Sequence, residues 1–174
     1  MKKKDIWISL AIIASAGLTL FFYSQGTGYV GIDAGGADAV LQLQNNWLGH
    51  ESITSGTEPA AIGARIYRPQ FLSLSKDRGG QTWQLESWGP WADLSTVKVR
   101  NNQATVIRLG PPFLIKPDVN RNGSILSIGY TIIGQAGEQY HDFIRKNDGI
   151  VTGAKISIFD ETGNILESGN FKYG

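Results

Sequence analysis

Apolar residues are distributed along this chain in two different ways. Residues 6–23 read IWISLAIIASAGLTLFFY, eighteen consecutive positions without a charge. Beyond residue 39 the apolar positions instead alternate with polar ones, in short runs rich in Ile, Val, Thr and aromatics that are separated by Gly, Asn, Asp and Pro. Period-two alternation marks half-buried strands, because successive side chains of a strand point to opposite faces. Ile62, Ala64 and Ile66 alternate in this way, as do Trp83 with Leu85 after the Gly79-Gly80 turn, and Val97 with Val99; Phe71-Leu72-Ser73-Leu74 follows Pro69. Val97–Arg100 and Ala104–Leu109 flank Asn101-Asn102 and read as a hairpin, since asparagine tolerates the left-handed turn conformation. Ser124–Ile133 reads as a strand with Ile125, Leu126, Ile128 and Ile132 turned to a core. Ala154–Phe159 and Asn164–Glu167, joined through Asp160-Glu161-Thr162-Gly163, form a last hairpin, and the pattern running on to Gly174 has the general look of the final hairpin of envelope β-sandwich domains.

Outside residues 6–23 no stretch sustains a helical apolar stripe over three turns. The pattern therefore predicts an all-β domain over residues 40–174, an immunoglobulin-like β-sandwich of seven to nine short antiparallel strands preceded by one N-terminal transmembrane helix. A closed barrel is the alternative.

Eighteen residues rise about 27 Å as a helix, just enough for a hydrocarbon core of about 30 Å. Lys2, Lys3 and Lys4 precede the segment, and no basic residue follows before Arg65, so residues 1–5 form a cytoplasmic tail and the domain is periplasmic or extracellular. Residues 24–39, SQGTGYVGIDAGGADA, read as a Gly-rich linker. Ala11, Ser15 and Thr19 recur every fourth residue and predict a small-residue face on which another membrane helix docks. The nine strongest apolar residues contribute about −3 to −5 kcal/mol of insertion free energy, a marginal value that favours protein neighbours around the helix. The competing reading is a signal peptide cleaved after Ala14-Ser15-Ala16, which would leave a mature start exposing Leu18, Leu20, Phe21 and Phe22.

With residues 1–23 set aside, 13 basic and 14 acidic residues remain. A near-neutral domain lacks the clustered basic face that nucleic acid requires. The chain has no cysteine, which removes disulfides, thiolate catalysis and Fe–S clusters together.

Three clusters have residue types that carry chemistry. Glu138, Tyr140, His141, Asp142 and Phe143 lie in the longest irregular stretch, 134–153, and are expected to form an interaction loop, since long loops on sheet scaffolds often carry binding. A metal site built from His50 and His141 is the sharper alternative, although three or four ligands must converge for one. Asp118, Asn120 and Asn122 with Gly123 match the first half of a calcium loop of the EF-hand and dockerin kind, but Gly129 stands where a bidentate Glu is needed. Trp83, Trp88 and Trp91 are near neighbours in TWQLESWGPW and form a candidate aromatic platform, against the ordinary tendency of tryptophan to be buried. No nucleophile elbow or phosphate-cradling Gly motif is present.

The function these features predict is a non-enzymatic, single-span accessory or structural subunit of a bacterial envelope complex, without a cofactor. Its predicted partners are the lipid bilayer and other membrane or envelope proteins. The alternative is a surface-displayed carbohydrate- or ligand-binding module.

Overall fold

The computed structural model describes residues 26–45, 49–91, 93–140, 144–151 and 154–170. Every regular element among them is a strand: β1 (Thr27–Asp33), β2 (Asp38–Gln44), β3 (His50–Thr54), β4 (Ala60–Gly63), β5 (Ile66–Arg78), β6 (Gln81–Trp88), β7 (Val97–Lys98) and β8 (Ala104–Arg108). The remainder are β9 (Leu114–Asn122), β10 (Ile125–Ile133), β11 (Gln139–Tyr140), β12 (Arg145–Lys146), β13 (Gly149–Ile150), β14 (Lys155–Phe159) and β15 (Ile165–Asn170).

The strands form four sheets: β4-β1-β8, β11-β10-β9, the pair β14-β15, and a larger sheet β13-β12-β6-β5-β2-β3 in which β7 also joins β5. The core lies between the first and the largest of these. Val30 and Ile32 of β1, Ile62 of β4 and Ile107 of β8 cluster with Ala39, Leu41 and Leu43 of β2, Ile53 of β3, and Tyr67, Leu72 and Leu74 of β5. On β1 and β2 burial alternates strictly with sequence position, as a strand covered on one face requires. Each fully buried aliphatic side chain contributes about 1.5–3 kcal/mol.

A bulge in β5 explains one irregularity of the pattern. Tyr67 and Pro69 face inward at odd positions and Leu72 and Leu74 at even ones. The pairing register with β2 shifts between Gln42 and Leu43, so one extra residue on β5 reverses its parity.

Four expectations are corrected. The Gly-rich stretch read as a linker holds β1, the central strand of its sheet, from Thr27 onward. Gly28 there serves close packing rather than flexibility, since a Cβ on it would collide with the Arg100 carbonyl and the Val99 side chain. The strands β7 and β8 do not form a hairpin, because β7 pairs with β5 and β8 runs parallel to β1. The intervening turn does place Asn102 at φ 55°, but β1 takes up its backbone groups: Asn102 N–H donates to Thr27 O at 2.8 Å and Tyr29 N–H to Gln103 O at 2.9 Å. The strands number fifteen among the described residues, several only two residues long, and the β1–β8 pair is parallel. Finally, β10 does not line the core; of its apolar residues only Ile132 packs against it.

No helix among the described residues is long and apolar enough to cross a membrane. The segment 6–23, predicted to do so, lies outside them, as do Ala11, Ser15 and Thr19.

Candidate functional site

Of the predicted interaction loop, Glu138 and Tyr140 are described, and both are buried. His141, Asp142 and Phe143 lie outside the described residues, so no geometry joins His50 to a partner histidine. Placing Glu138 and Tyr140 on a contact surface is therefore corrected. Glu138 instead pins the chain between β10 and β11 to the end of β8. Its Oε1 accepts the Gly110 amide and the Tyr140 hydroxyl (3.1 Å), and its Oε2 accepts the Ala136 amide at 2.8 Å. Three donors satisfy a carboxyl group that burial alone would strongly disfavour.

Tyr140 also packs edge-on against Phe113 at 5.5 Å. Burial first, then the charge of Glu138 and the hydrogen bond to it, push the Tyr140 phenol well above its ordinary value. Burial likewise raises Tyr67. With both folded values raised, the stabilisation is complete below the unfolded value of about 10 and is lost as pH rises past it, at about 1.4 kcal/mol per pH unit for Tyr140, whose shift is the larger. Thermal melts between pH 9 and 11 are expected to show a steep fall in Tm, which Tyr140→Phe reduces by the Tyr140 share.

The three tryptophans do not share a face. Trp91 is 4% exposed and its indole N–H donates to Ser87 Oγ at 2.7 Å. Trp83 and Trp88 lie five positions apart on β6 and so point to opposite sides of the sheet. Trp88 is 70% exposed and leans on Phe71 with centroids 4.6 Å apart, while Lys146 Nζ stands 5.3 Å from the Trp83 ring centre.

Asp118, Asn120 and Asn122 lie on one face of an extended strand, where successive same-face residues stand about 6.5–7 Å apart. Three such oxygens cannot converge on one ion, and no group of three His, Cys, Asp or Glu residues among the described residues is arranged to hold a metal. The motif has another cause. Gly123, at φ +62°, opens the two-residue Gly123-Ser124 connection of a hairpin, the placement a II′ turn requires. The alternating Asp and Asn are the polar face of that hairpin.

Its other face is apolar. The pairing of β9 with β10 sets Ile115 opposite Ile132, Pro117 opposite Tyr130, Val119 opposite Ile128 and Arg121 opposite Leu126. Side chains opposite each other share a face, so these eight form one stripe down the hairpin, apolar except for Arg121 near the turn. Ile115, Val119 and Leu126 are 64%, 58% and 49% exposed. The β14–β15 hairpin is similarly uncovered, with Phe159, Ile165 and Leu166 exposed. Between the two hairpins runs a groove of about 490 Å³ lined by Leu126, Ile128, Ile156, Ile158 and β15.

The turn of the second hairpin is closed by Asp160. Its carboxylate accepts the Thr162 hydroxyl and amide at 2.7 and 2.9 Å, and the Asn164 amide at 2.8 Å and side chain at 3.1 Å. These bonds, that of the Thr162 hydroxyl foremost, hold its pKa down at about 2. A depressed value means that the turn is supported above the ordinary carboxylate range and loses this support as pH falls toward about 2. Carboxyl carbon NMR is expected to place the Asp160 midpoint there, with the Thr162 and Asn164 amides moving in step.

The amphipathic β9–β10 face was not legible in advance, because Pro117, Asp118, Asn120 and Asn122 disguise β9 as a loop. The signal available was the apolar parity shared by Ile115, Val119, Ile128 and Ile132 once a turn is set at Gly123. The chain matches no model of a known family, no curated protein and no solved structure.

Proposed function

We propose that this chain is a non-enzymatic structural or accessory subunit of a bacterial envelope complex. In this reading segment 6–23 holds it in the membrane with the N-terminus cytoplasmic, and the exported domain, an immunoglobulin-like β-sandwich, docks on other envelope proteins. The core that strands of two sheets share supports the sandwich reading.

One observation carries the functional reading: the exposed apolar stripe of the β9–β10 hairpin, beside a second uncovered hairpin. Exposed apolar patches rimmed by polar residues mark interaction surfaces. The β14–β15 pair stands alone as a two-stranded sheet among the described residues, and such a hairpin is marginal in water without a third strand or a packed face. β9 also pairs with β10 alone among the described strands, so its outer edge is a template for an incoming strand.

Purification of the full chain from native membranes in mild detergent tests the reading. The expected result is a complex larger than the monomer, which Val119→Asp reduces to monomer without lowering Tm. A wild-type chain that elutes as a monomer with nothing attached contradicts it.

A further inference from the structure

A second feature, separate from the hairpins, lies where β5 turns into β6. In their register Leu74 stands opposite Leu85, Lys76 opposite Trp83 and Arg78 opposite Gln81, all on one face. The other face of the same hairpin carries Ser73 with Glu86, Ser75 with Gln84 and Asp77 with Thr82. The strand pair thus sorts its charges, with both cations on one side and both carboxylates on the other.

The cationic side lines an open cleft of about 890 Å³, within the size range of small-molecule sites. Leu74 and Leu85 form its floor, Trp83 and Phe113 its walls, and Lys76 and Arg78 stand toward the turn, with no acidic residue in the lining. Leu74 belongs to the buried core and Lys76 and Arg78 are exposed, so the cleft runs from apolar at depth to cationic at its mouth. Lys76 donates to the Gly36 carbonyl. The Arg78 side chain makes no hydrogen bond or ion pair with any described residue, and its guanidinium has a fork suited to carboxylate or phosphate.

We infer that this cleft binds a single-chain anionic amphiphile, its alkyl chain against Leu74, Leu85, Trp83 and Phe113 and its anionic head at Arg78 and Lys76. The polarity gradient and the absence of a lining carboxylate select the sign of the head group. Carboxylate and phosphate heads satisfy the same chemistry.

The test uses the full chain in phosphatidylcholine nanodiscs, labelled with 5-fluorotryptophan, the Trp83 resonance being assigned by its loss in Trp83→Phe. Octanoate, octyl phosphate and octyltrimethylammonium are titrated separately, so that partition into lipid is common to all and the Trp83 signal reports the cleft alone. A saturable Trp83 shift is expected with one or both anions, at a concentration about tenfold below that for the cation; which anion does so identifies the head group. Arg78→Gln is expected to remove most of this preference while leaving Tm unchanged, as an exposed side chain should. Equal midpoints for anion and cation, a shift that never saturates, or a preference that survives in an Arg78→Gln, Lys76→Gln double variant would overturn the inference.

Discussion

Glu138→Ala is expected to destabilise the domain by about 3–5 kcal/mol, a large part of the roughly 5–15 kcal/mol that holds a typical domain folded. The side chain is fully buried and accepts from Gly110, Ala136 and Tyr140. Its removal strands two peptide N–H groups and a phenol in a buried site, each at about 1–3 kcal/mol unless water enters. Glu138→Gln separates hydrogen bonding from size. A single amide oxygen still serves Gly110 and Tyr140, while the new NH₂ opposes the Ala136 N–H, so an intermediate loss of about 1–3 kcal/mol is expected. Urea unfolding of both variants checks the order. An alanine variant as stable as wild type would show that Glu138 does not pin this connection.

Trp91→Ala is expected to cost about 3–5 kcal/mol, and Trp88→Ala about 0.5 kcal/mol. The contrast follows from burial: Trp91 lies in the core and gives up both packing and its bond to Ser87, whereas Trp88 has only the face of Phe71. Ser87 Oγ donates in turn to Gln139 O at 2.6 Å, so loss of Trp91 also loosens β11. Three tryptophans within nine residues thus have three separate roles, and equal losses at positions 88 and 91 would contradict this division.

The all-β character and the last hairpin were legible because short alternating runs ended at Gly, Asn and Pro. Residues 155–159 and 165–170 pair as the alternation and the Asp160–Gly163 turn imply. What local pattern cannot carry is the choice of partner. Val97–Lys98 and Ala104–Arg108 are separated by a well-formed turn, yet they join different sheets because β1 competes for the turn's backbone groups. Glycine content misled in the same way at residues 27–33, since close approach of backbones and a flexible tether call for the same residue. Among the site candidates, the sequence identified residues with suitable chemistry but not their exposure: Glu138 and Tyr140 are polar groups satisfied inside, and Asp118, Asn120 and Asn122 are the wet side of a strand. The exposed apolar face lay on the opposite parity of the same strand, at Ile115, Pro117 and Val119.

In the function we propose, another envelope protein covers this face. Site-specific incorporation of a photocrosslinking phenylalanine analogue at Val119, and separately at the exposed Gln42 of β2, tests it in intact cells. The account predicts a discrete crosslinked protein product from position 119 that is absent from position 42 and disappears when Leu126→Asp is added. Absence of any product at 119, or the same products from both positions, would contradict it.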